Sequence, residues 1–231
     1  MIDHVRDLAS VREATQRLID AAAALDNAAL AEPSRLPGWT RGHVLAHVSR
    51  NADALVNVLR GLPMYKDGAT RDADIERDSG RPLDVQLADL RESAERFLAE
   101  GTEPGDWERT VELRNGVTDS ASRIPFRRWV EVDLHHVDLG VGYELEDLPD
   151  EFTEREITFL ADRWSGRPDV PPVTLRTYEG GPSWTTGGTE GTPVVLEGSF
   201  ADLLGWLSGR GEKGAHLAVL SGSGLPELPP L

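Results

Sequence analysis

The sequence predicts an α+β protein in which a four-helix bundle precedes a small α/β domain. Apolar residues recur at three- and four-residue steps in several segments of the first part of the chain, which is typical of helices packed on one face. After residue 149 the composition shifts to short alternating segments separated by glycine and proline, which favours strands. We therefore expect two domains, residues 1–148 and residues 149–231.

Four segments of the first domain carry the helical pattern. They cover residues 3–25, 41–60, 83–101 and 125–140. Thr40 is a good N-cap for the second segment, and Gly61 ends it. The connection over residues 66–82 is polar and contains glycine and proline, so we expect a long surface loop there. Four helices with one long connection are typical of a helical bundle.

The region between the third and fourth helices leaves two structures open. Residues 109–114 resemble a strand, and a turn is expected at Asn115-Gly116. The pattern fits either a hairpin or an irregular crossover.

The second domain is predicted to combine helices and strands. Helices are expected over residues 150–165 and 200–207, the latter capped by Ser199 and ended by Gly209. Strands are expected over residues 170–177, 192–197 and 216–220. The glycine-rich stretch 180–191 is expected to form turns, and it lacks the strand–GxGxxG–helix context of a dinucleotide site.

Composition excludes several classes of function. The 231 residues contain no cysteine, which excludes disulfide scaffolds, cysteine-ligated metals and a cysteine nucleophile. The net charge of −16 disfavours nucleic-acid binding. The apolar stretch 18–30 is interrupted by Asp20 and Asp26, so no membrane span is expected, and the N-terminus lacks a secretory signal pattern. We expect a cytoplasmic monomer that acts on a small molecule.

Histidine and glutamate residues on two predicted helices suggest a metal site. His43 and His47 lie four residues apart on the second helix, and Glu131 and His135 lie four residues apart on the fourth. Each pair shares one helix face, and helical bundles often build metal sites from facing side chains. Two nitrogen ligands and one oxygen ligand would suit Zn²⁺ with an open fourth position. The spacing alone leaves His43 and His47 as alternatives.

Motifs along most of the chain resemble one family, the mycothiol-dependent maleylpyruvate isomerases. The segment LPGWTRGHVLAHV over residues 36–48 is similar to the family's second-helix motif. The segment from Glu131 to Gly140 is similar to its ExxxHxVDLG motif. Residues 198–202 and Gly209-Arg210-Gly211 are similar to its C-terminal helix and the loop that follows it.

The resemblance implies a fold, ligands and an activity. The family has a DinB-like metal-binding four-helix bundle and a small C-terminal α/β domain resembling sterol-carrier proteins. Its zinc ligands correspond here to His47, Glu131 and His135, which places His43 outside the ligand set, and its functional arginine corresponds to Arg210. The implied cofactors are Zn²⁺ and mycothiol, a low-molecular-weight thiol.

The implied reaction converts maleylpyruvate to fumarylpyruvate, a cis–trans isomerisation in gentisate catabolism, with Arg210 holding a carboxylate of the anionic substrate. Two other functions are alternatives to this reaction. A mycothiol S-transferase that detoxifies electrophiles would use the same metal and thiol but would need no arginine directed at a dicarboxylate. A non-catalytic zinc-binding regulatory module would bind the metal without thiol-dependent activity.

Overall fold

The computed structural model describes residues 3–222 and 224–229 and divides into two compact units, Met1–Gly142 and Tyr143–Leu231. Within the described residues, the first unit is helical apart from a short hairpin, and the second combines helices with a sheet. This confirms the predicted α+β class, a helical bundle followed by a smaller unit that contains a sheet.

The first unit is built around four long helices that pack side by side. In chain order its helices are α1 (His4–Ala23), α2 (Asn27–Leu30), α3 (Arg41–Leu59), α4 (Gly68–Ser79), α5 (Leu83–Thr102) and α6 (Ile124–Leu139). Helices α1 and α3 each pack against both α5 and α6. Apolar side chains from these four helices fill the interior, among them Leu18, Leu45, Leu90, Phe97 and Val132. Burying each large apolar side chain contributes about 1.5–3 kcal/mol to folding, which holds the four helices together.

The surface loop predicted over residues 66–82 is wrong for most of its length, because Gly68–Ser79 form helix α4. Asp67 caps the helix, because its side chain accepts a hydrogen bond from a backbone N–H in the first turn. Of the helix's own residues, Ile75 and Asp78 are buried. A helix with so little apolar surface shows no helical stripe in its sequence, and this is why the prediction was wrong.

The undecided region before α6 is a hairpin. Strand β1 (Thr110–Glu112) pairs with β2 (Thr118–Ser120) in antiparallel register. Asn115 and Gly116 in the connection have φ angles of 62° and 71°. Left-handed backbone of this kind favours asparagine and glycine, so the predicted turn is confirmed.

The second unit has helix α7 (Asp150–Trp164), strands β3 (Val173–Thr177), β4 (Ser183–Thr186) and β5 (Val194–Gly198), helix α8 (Phe200–Ser208) and strand β6 (Ala218–Ser221). In the described residues the sheet order is β4-β3-β5-β6, with β3 and β5 parallel and the outer pairs antiparallel. Strand β4 lies inside the stretch predicted as turns, so that prediction was wrong for these residues. No helix in the described part of the chain is long and apolar enough to cross a membrane.

Candidate metal centre

The start of helix α3 is fixed by one of its two histidines. The backbone N–H of Thr40 donates to Nδ1 of His43 at 3.2 Å, and the Thr40 side chain accepts from the His43 backbone N–H. The other ring nitrogen of His43 lies 3.1 Å from a Glu76 carboxylate oxygen on α4. Both ring nitrogens of His43 are therefore occupied by contacts that cap α3 and join it to α4.

A glycine allows α4 to approach α3 at this point. A Cβ atom on Gly42 would lie 2.2 Å from the carbonyl oxygen of Ser79, which is closer than atoms can pack. A side chain at position 42 would push α4 away from α3 beside His43.

Helices α3 and α6 are held together by a buried arginine. Arg128 on α6 donates from Nη1 to the carbonyl oxygen of Val48 at 2.8 Å and to the side chain of Asn51 at 2.9 Å. At the other end of the contact, Nε of Arg41 donates to the carbonyl oxygen of Leu139 at 3.1 Å. These bonds set the two helices in the register that places His47 opposite Glu131.

The structure brings His47, Glu131 and His135 together. Their candidate ligand atoms all lie within 4.8 Å of one another. Nε2 of His47 is 3.0 Å from Oε2 of Glu131, and Nε2 of His135 is 3.4 Å from the same oxygen. The Glu131 side chain is one-third exposed (33%), so the cluster can be reached from solvent.

Two neighbouring side chains orient the histidines of the cluster. Nδ1 of His135 lies 2.8 Å from a carboxylate oxygen of Asp138, which fixes the ring with Nε2 towards Glu131. Nδ1 of His47 lies 3.2 Å from Nη2 of Arg71 on α4. The rings of His47 and His135 meet edge to face at a centroid distance of 4.6 Å.

Burial and hydrogen bonds together shift the pKa values of His47, Glu131 and His135. Burial, aided by the nearby His135, lowers the pKa of His47 to about 4, so this imidazole is neutral at neutral pH. Burial opposes ionisation of Glu131, but hydrogen bonds from His135 and His47 hold its pKa well below the usual value. Burial also disfavours the charged form of His135, yet the bonds to Asp138 and Glu131 raise its pKa.

The donor set fits a divalent metal ion of the zinc type. Two imidazoles and one carboxylate on two rigid helices supply three ligands and leave further positions open, as catalytic zinc sites require. The Asp138–His135 pair is the carboxylate–histidine arrangement that commonly supports a metal ligand. The Arg71 contact, however, competes with metal binding through Nε2 of His47. An arginine can only donate, whereas an imidazole that binds metal through Nε2 carries its proton on Nδ1.

The other sequence-predicted residues lie outside this cluster. His136 is buried and is not among the clustered ligands. Arg210 belongs to the second unit, where it follows the C-cap of α8 and its backbone N–H donates to the carbonyl oxygen of Gly205 at 3.0 Å. Its catalytic role remains a prediction.

Sequence reasoning missed Arg71 and Tyr65 as parts of the centre's surroundings. The guanidinium carbon of Arg71 lies 6.0 Å from the ring centroid of Tyr65. Burial raises the pKa of the Tyr65 hydroxyl, and the negative charge of Glu131 adds to the shift. Both residues lie in or beside a segment without helical pattern; Asp67, as a possible N-cap for α4, was a signal in that segment.

Comparison with known proteins identifies the family. The model of the mycothiol maleylpyruvate isomerase N-terminal domain matches residues 11–140, which is more than half of the chain. The chain belongs to the mycothiol maleylpyruvate isomerase family. The model of the family's C-terminal domain matches residues 147–230. The resemblance inferred from the sequence motifs is therefore confirmed.

Solved structures of the family share the whole fold. A crystal structure of a mycothiol-dependent maleylpyruvate isomerase is 26% identical and superposes with a TM-score of 0.87, covering 99% of this chain and 97% of the other. A variant of such an isomerase, in which one histidine is replaced by alanine, gives a TM-score of 0.88 with the same identity and coverage. No curated protein sequence gives a significant match.

Proposed function

We propose that this chain is a metal- and mycothiol-dependent isomerase that converts maleylpyruvate to fumarylpyruvate. The observation that carries the proposal is the cluster of His47, Glu131 and His135 in a chain that belongs to the mycothiol maleylpyruvate isomerase family. The two similar crystal structures are of mycothiol-dependent maleylpyruvate isomerases, which supports the choice of thiol and substrate.

The proposed reaction needs a nucleophile that can add and leave again. The cis double bond of maleylpyruvate is conjugated to carbonyl groups, so an added thiolate leaves the electron pair delocalised as an enolate. Rotation about the resulting single bond, followed by loss of the same thiolate, gives the trans double bond. The thiolate is regenerated unchanged. A zinc-type ion, when bound, would lower the pKa of a thiol so that thiolate exists at neutral pH.

The chain's own residues would position these partners. His47, Glu131 and His135 would hold the metal, and Asp138 would keep Nε2 of His135 directed towards it. Arg210, the residue that the family resemblance singles out, would hold a carboxylate of the substrate through a charge-assisted pair. Because the chain carries a net charge of −16, a dianionic substrate needs such local positive groups.

The proposal also covers the identity of the metal, the pathway, the compartment and the oligomeric state. The metal is proposed to be zinc, because two imidazoles and a carboxylate with an open position are typical zinc ligands. The proposed setting is gentisate catabolism, which the substrate implies. A cofactor that must stay a reduced thiol favours the cytoplasm as the site of action. The chain is proposed to act as a monomer on its small anionic substrate and thiol, without membrane or nucleic-acid partners.

The test is an isomerisation assay on purified chain with its metal content measured. We expect about one divalent ion per chain and conversion of maleylpyruvate that requires both the ion and mycothiol. Conversion without thiol, or full conversion after the metal is removed by a chelator, would refute the proposal. Conjugation of electrophiles to mycothiol without isomerisation would assign the chain to the S-transferases. Tight metal binding without thiol-dependent activity would indicate a non-catalytic metal-binding module.

The proposed role of Arg210 has its own test. Replacing it with alanine should lower kcat/KM for maleylpyruvate about a hundredfold or more, because one partner of a desolvated charge pair is lost. The matched control is Arg176→Ala, which removes an exposed arginine from β3 of the same unit and should have little effect. If Arg210→Ala retains full activity with unchanged metal content, the assignment of its role is wrong.

A further inference from the structure

Arg71 on α4 brings a positive charge to the metal centre. Its side chain is 15% exposed, and Nη2 lies 3.2 Å from Nδ1 of His47. Its other terminal nitrogen, Nη1, donates to a carboxylate oxygen of Asp72 at 2.6 Å, but the Asp72 side chain is 65% exposed. Solvent therefore screens the ion pair, whereas the donor that faces the cluster meets the ring of His47 rather than a carboxylate.

The contact between Arg71 and His47 is incompatible with metal binding through Nε2 of His47. The imidazole then carries its proton on Nδ1, so this nitrogen has no lone pair to accept from Arg71. A charged donor that is mostly buried is then left without its acceptor, which costs free energy. An anionic group of a bound substrate would supply a new acceptor at this place.

A second cation near the cluster is also incompletely paired. Arg128 on α6 is fully buried, and within residues 3–222 and 224–229 its Nε and Nη2 have no hydrogen-bond partner. It lies close enough to Glu131 and Tyr65 to interact with both electrostatically. Although the chain carries a net charge of −16, two guanidinium groups thus act on the metal centre, and their field favours an anionic ligand there.

Tyr65 is associated with both guanidinium groups. Its hydroxyl is a side-chain hydrogen-bond partner of Arg71, and the guanidinium carbon of Arg71 lies 6.0 Å from the Tyr65 ring centroid. A phenol hydroxyl can accept from a guanidinium and donate to an anion at the same time. Tyr65 can therefore hold Arg71 in place and offer a second donor to the same anion.

We infer that Arg71 binds a carboxylate of the substrate and that Tyr65 is its positioning residue. The inference rests on the proposed function, because maleylpyruvate has two carboxylates and Arg210 is assigned to one of them. Arg71 binds the other, beside the metal ligands. The fork of N–H groups on a guanidinium matches the two oxygens of a carboxylate, which makes arginine the suitable residue for this task.

The test measures binding of a stable anion without any turnover. The probe is maleate, a cis dicarboxylate, titrated calorimetrically into the full-length, zinc-loaded chain. Arg71→Met should weaken maleate binding about ten- to a hundredfold, because a hydrogen bond between two charged groups is lost. Arg71→Lys keeps the charge but not the fork, so its affinity should lie between those of the other two chains. Tyr65→Phe should weaken binding about two- to fivefold.

The matched control is Arg91→Met, which makes the same chemical change at an exposed position of α5 and should bind maleate normally. Circular dichroism and zinc content confirm that each variant is folded and loaded. If Arg71→Met binds maleate as tightly as the unmodified chain at equal zinc content, the inference is overturned.

Steady-state kinetics separate this inference from the proposed function. In Arg71→Met the KM for maleylpyruvate should rise about tenfold or more, whereas the KM for mycothiol should change less than about twofold. A rise in the KM for mycothiol alone would assign Arg71 to the cofactor and overturn the inference while the function stands. If no thiol supports isomerisation but maleate binding still depends on Arg71, the anion site stands and the proposed function fails.

Discussion

Helices α6 and α8 differ in how many polar side chains they bury. Helix α8 buries apolar residues, among them Leu203, Leu204, Trp206 and Leu207. Helix α6 buries apolar residues too, but it also buries four polar or charged side chains: Arg128, Asp133, His136 and Asp138. Buried polar groups cost free energy unless they are paired, so α6 is held by specific partners whereas α8 is held by packing.

The pairing on α6 shows what this polar burial achieves. Asp133 accepts from Nε1 of Trp129 at 2.6 Å and from Arg17 at 3.3 Å, and Arg128 bridges to α3. These bonds fix the rotation and register of α6, and Glu131 and His135 lie on the same helix. The difference teaches that polar partners fix where α6 places Glu131 and His135, whereas packing of α8 stabilises the second unit.

The largest expected effect comes from breaking the cluster. His47→Ala should lower metal affinity by more than about a hundredfold, because loss of a ligand exceeds the about 10–100-fold cost of losing a supporting residue. His135→Ala should behave in the same way. The measurement is metal content after dialysis against a weak chelator, with circular dichroism to confirm folding.

His43→Ala is the matched control, because His43 lies one turn earlier on the same helix. It should keep its metal and lose only the stability that the α3 cap supplies, about 1 kcal/mol. Equal metal loss in His43→Ala and His47→Ala would show that the ligand choice between them is wrong.

On α8 the expected effect is one of stability. Leu204 is fully buried, so Leu204→Ala should lower the free energy of unfolding by about 2–5 kcal/mol. Urea denaturation measures this loss. Metal content per folded chain should not change, and a loss of metal in the folded variant would contradict the division of roles between α6 and α8.

A smaller effect is expected from the residue that orients a ligand. Asp138→Asn keeps the size of the side chain but removes the charge that holds Nδ1 of His135. Metal affinity should fall about 10–100-fold, as for other supporting carboxylates. Competition with a coloured chelator gives the value, and an unchanged affinity would mean that Asp138 serves only to end the helix.

The smallest expected effect is an increase in metal affinity. Arg71→Met removes a positive charge and a donor that competes for Nδ1 of His47. Metal affinity should rise about fivefold, which corresponds to about 1 kcal/mol for a charge near the ion in a largely aqueous setting. The same chelator competition applies, and a fall in affinity would show that Arg71 supports the site rather than opposing it.

The sequence predicted the helices that carry either a clear apolar period or clear start and stop signals. Helices α1 and α5 followed from their apolar stripes, α6 from a proline in its first turn, and α3 and α8 from their Thr40 and Ser199 caps and glycine stops. Helix α4 has no stripe, and β4 is too short and polar to stand out among glycines, so neither could be found. Packing on neighbouring elements holds both in place.

The site was predictable to a similar extent. The spacing showed that Glu131 and His135 share a face, but it could not choose between His43 and His47, because that depends on the rotation of α3 against α6. The Arg128 bonds to Val48 and Asn51 set this rotation, and such long-range bonds leave no local pattern. The family motif indicated His47, and the structure places His47 beside Glu131.

The most direct test of the central claim is anomalous diffraction at the zinc edge from crystals of the zinc-loaded chain. The account predicts a peak within about 2.0–2.2 Å of one nitrogen each of His47 and His135 and of a carboxylate oxygen of Glu131. A peak at His43 and Glu76 instead, or no peak at the His47–Glu131–His135 cluster after loading, would contradict it.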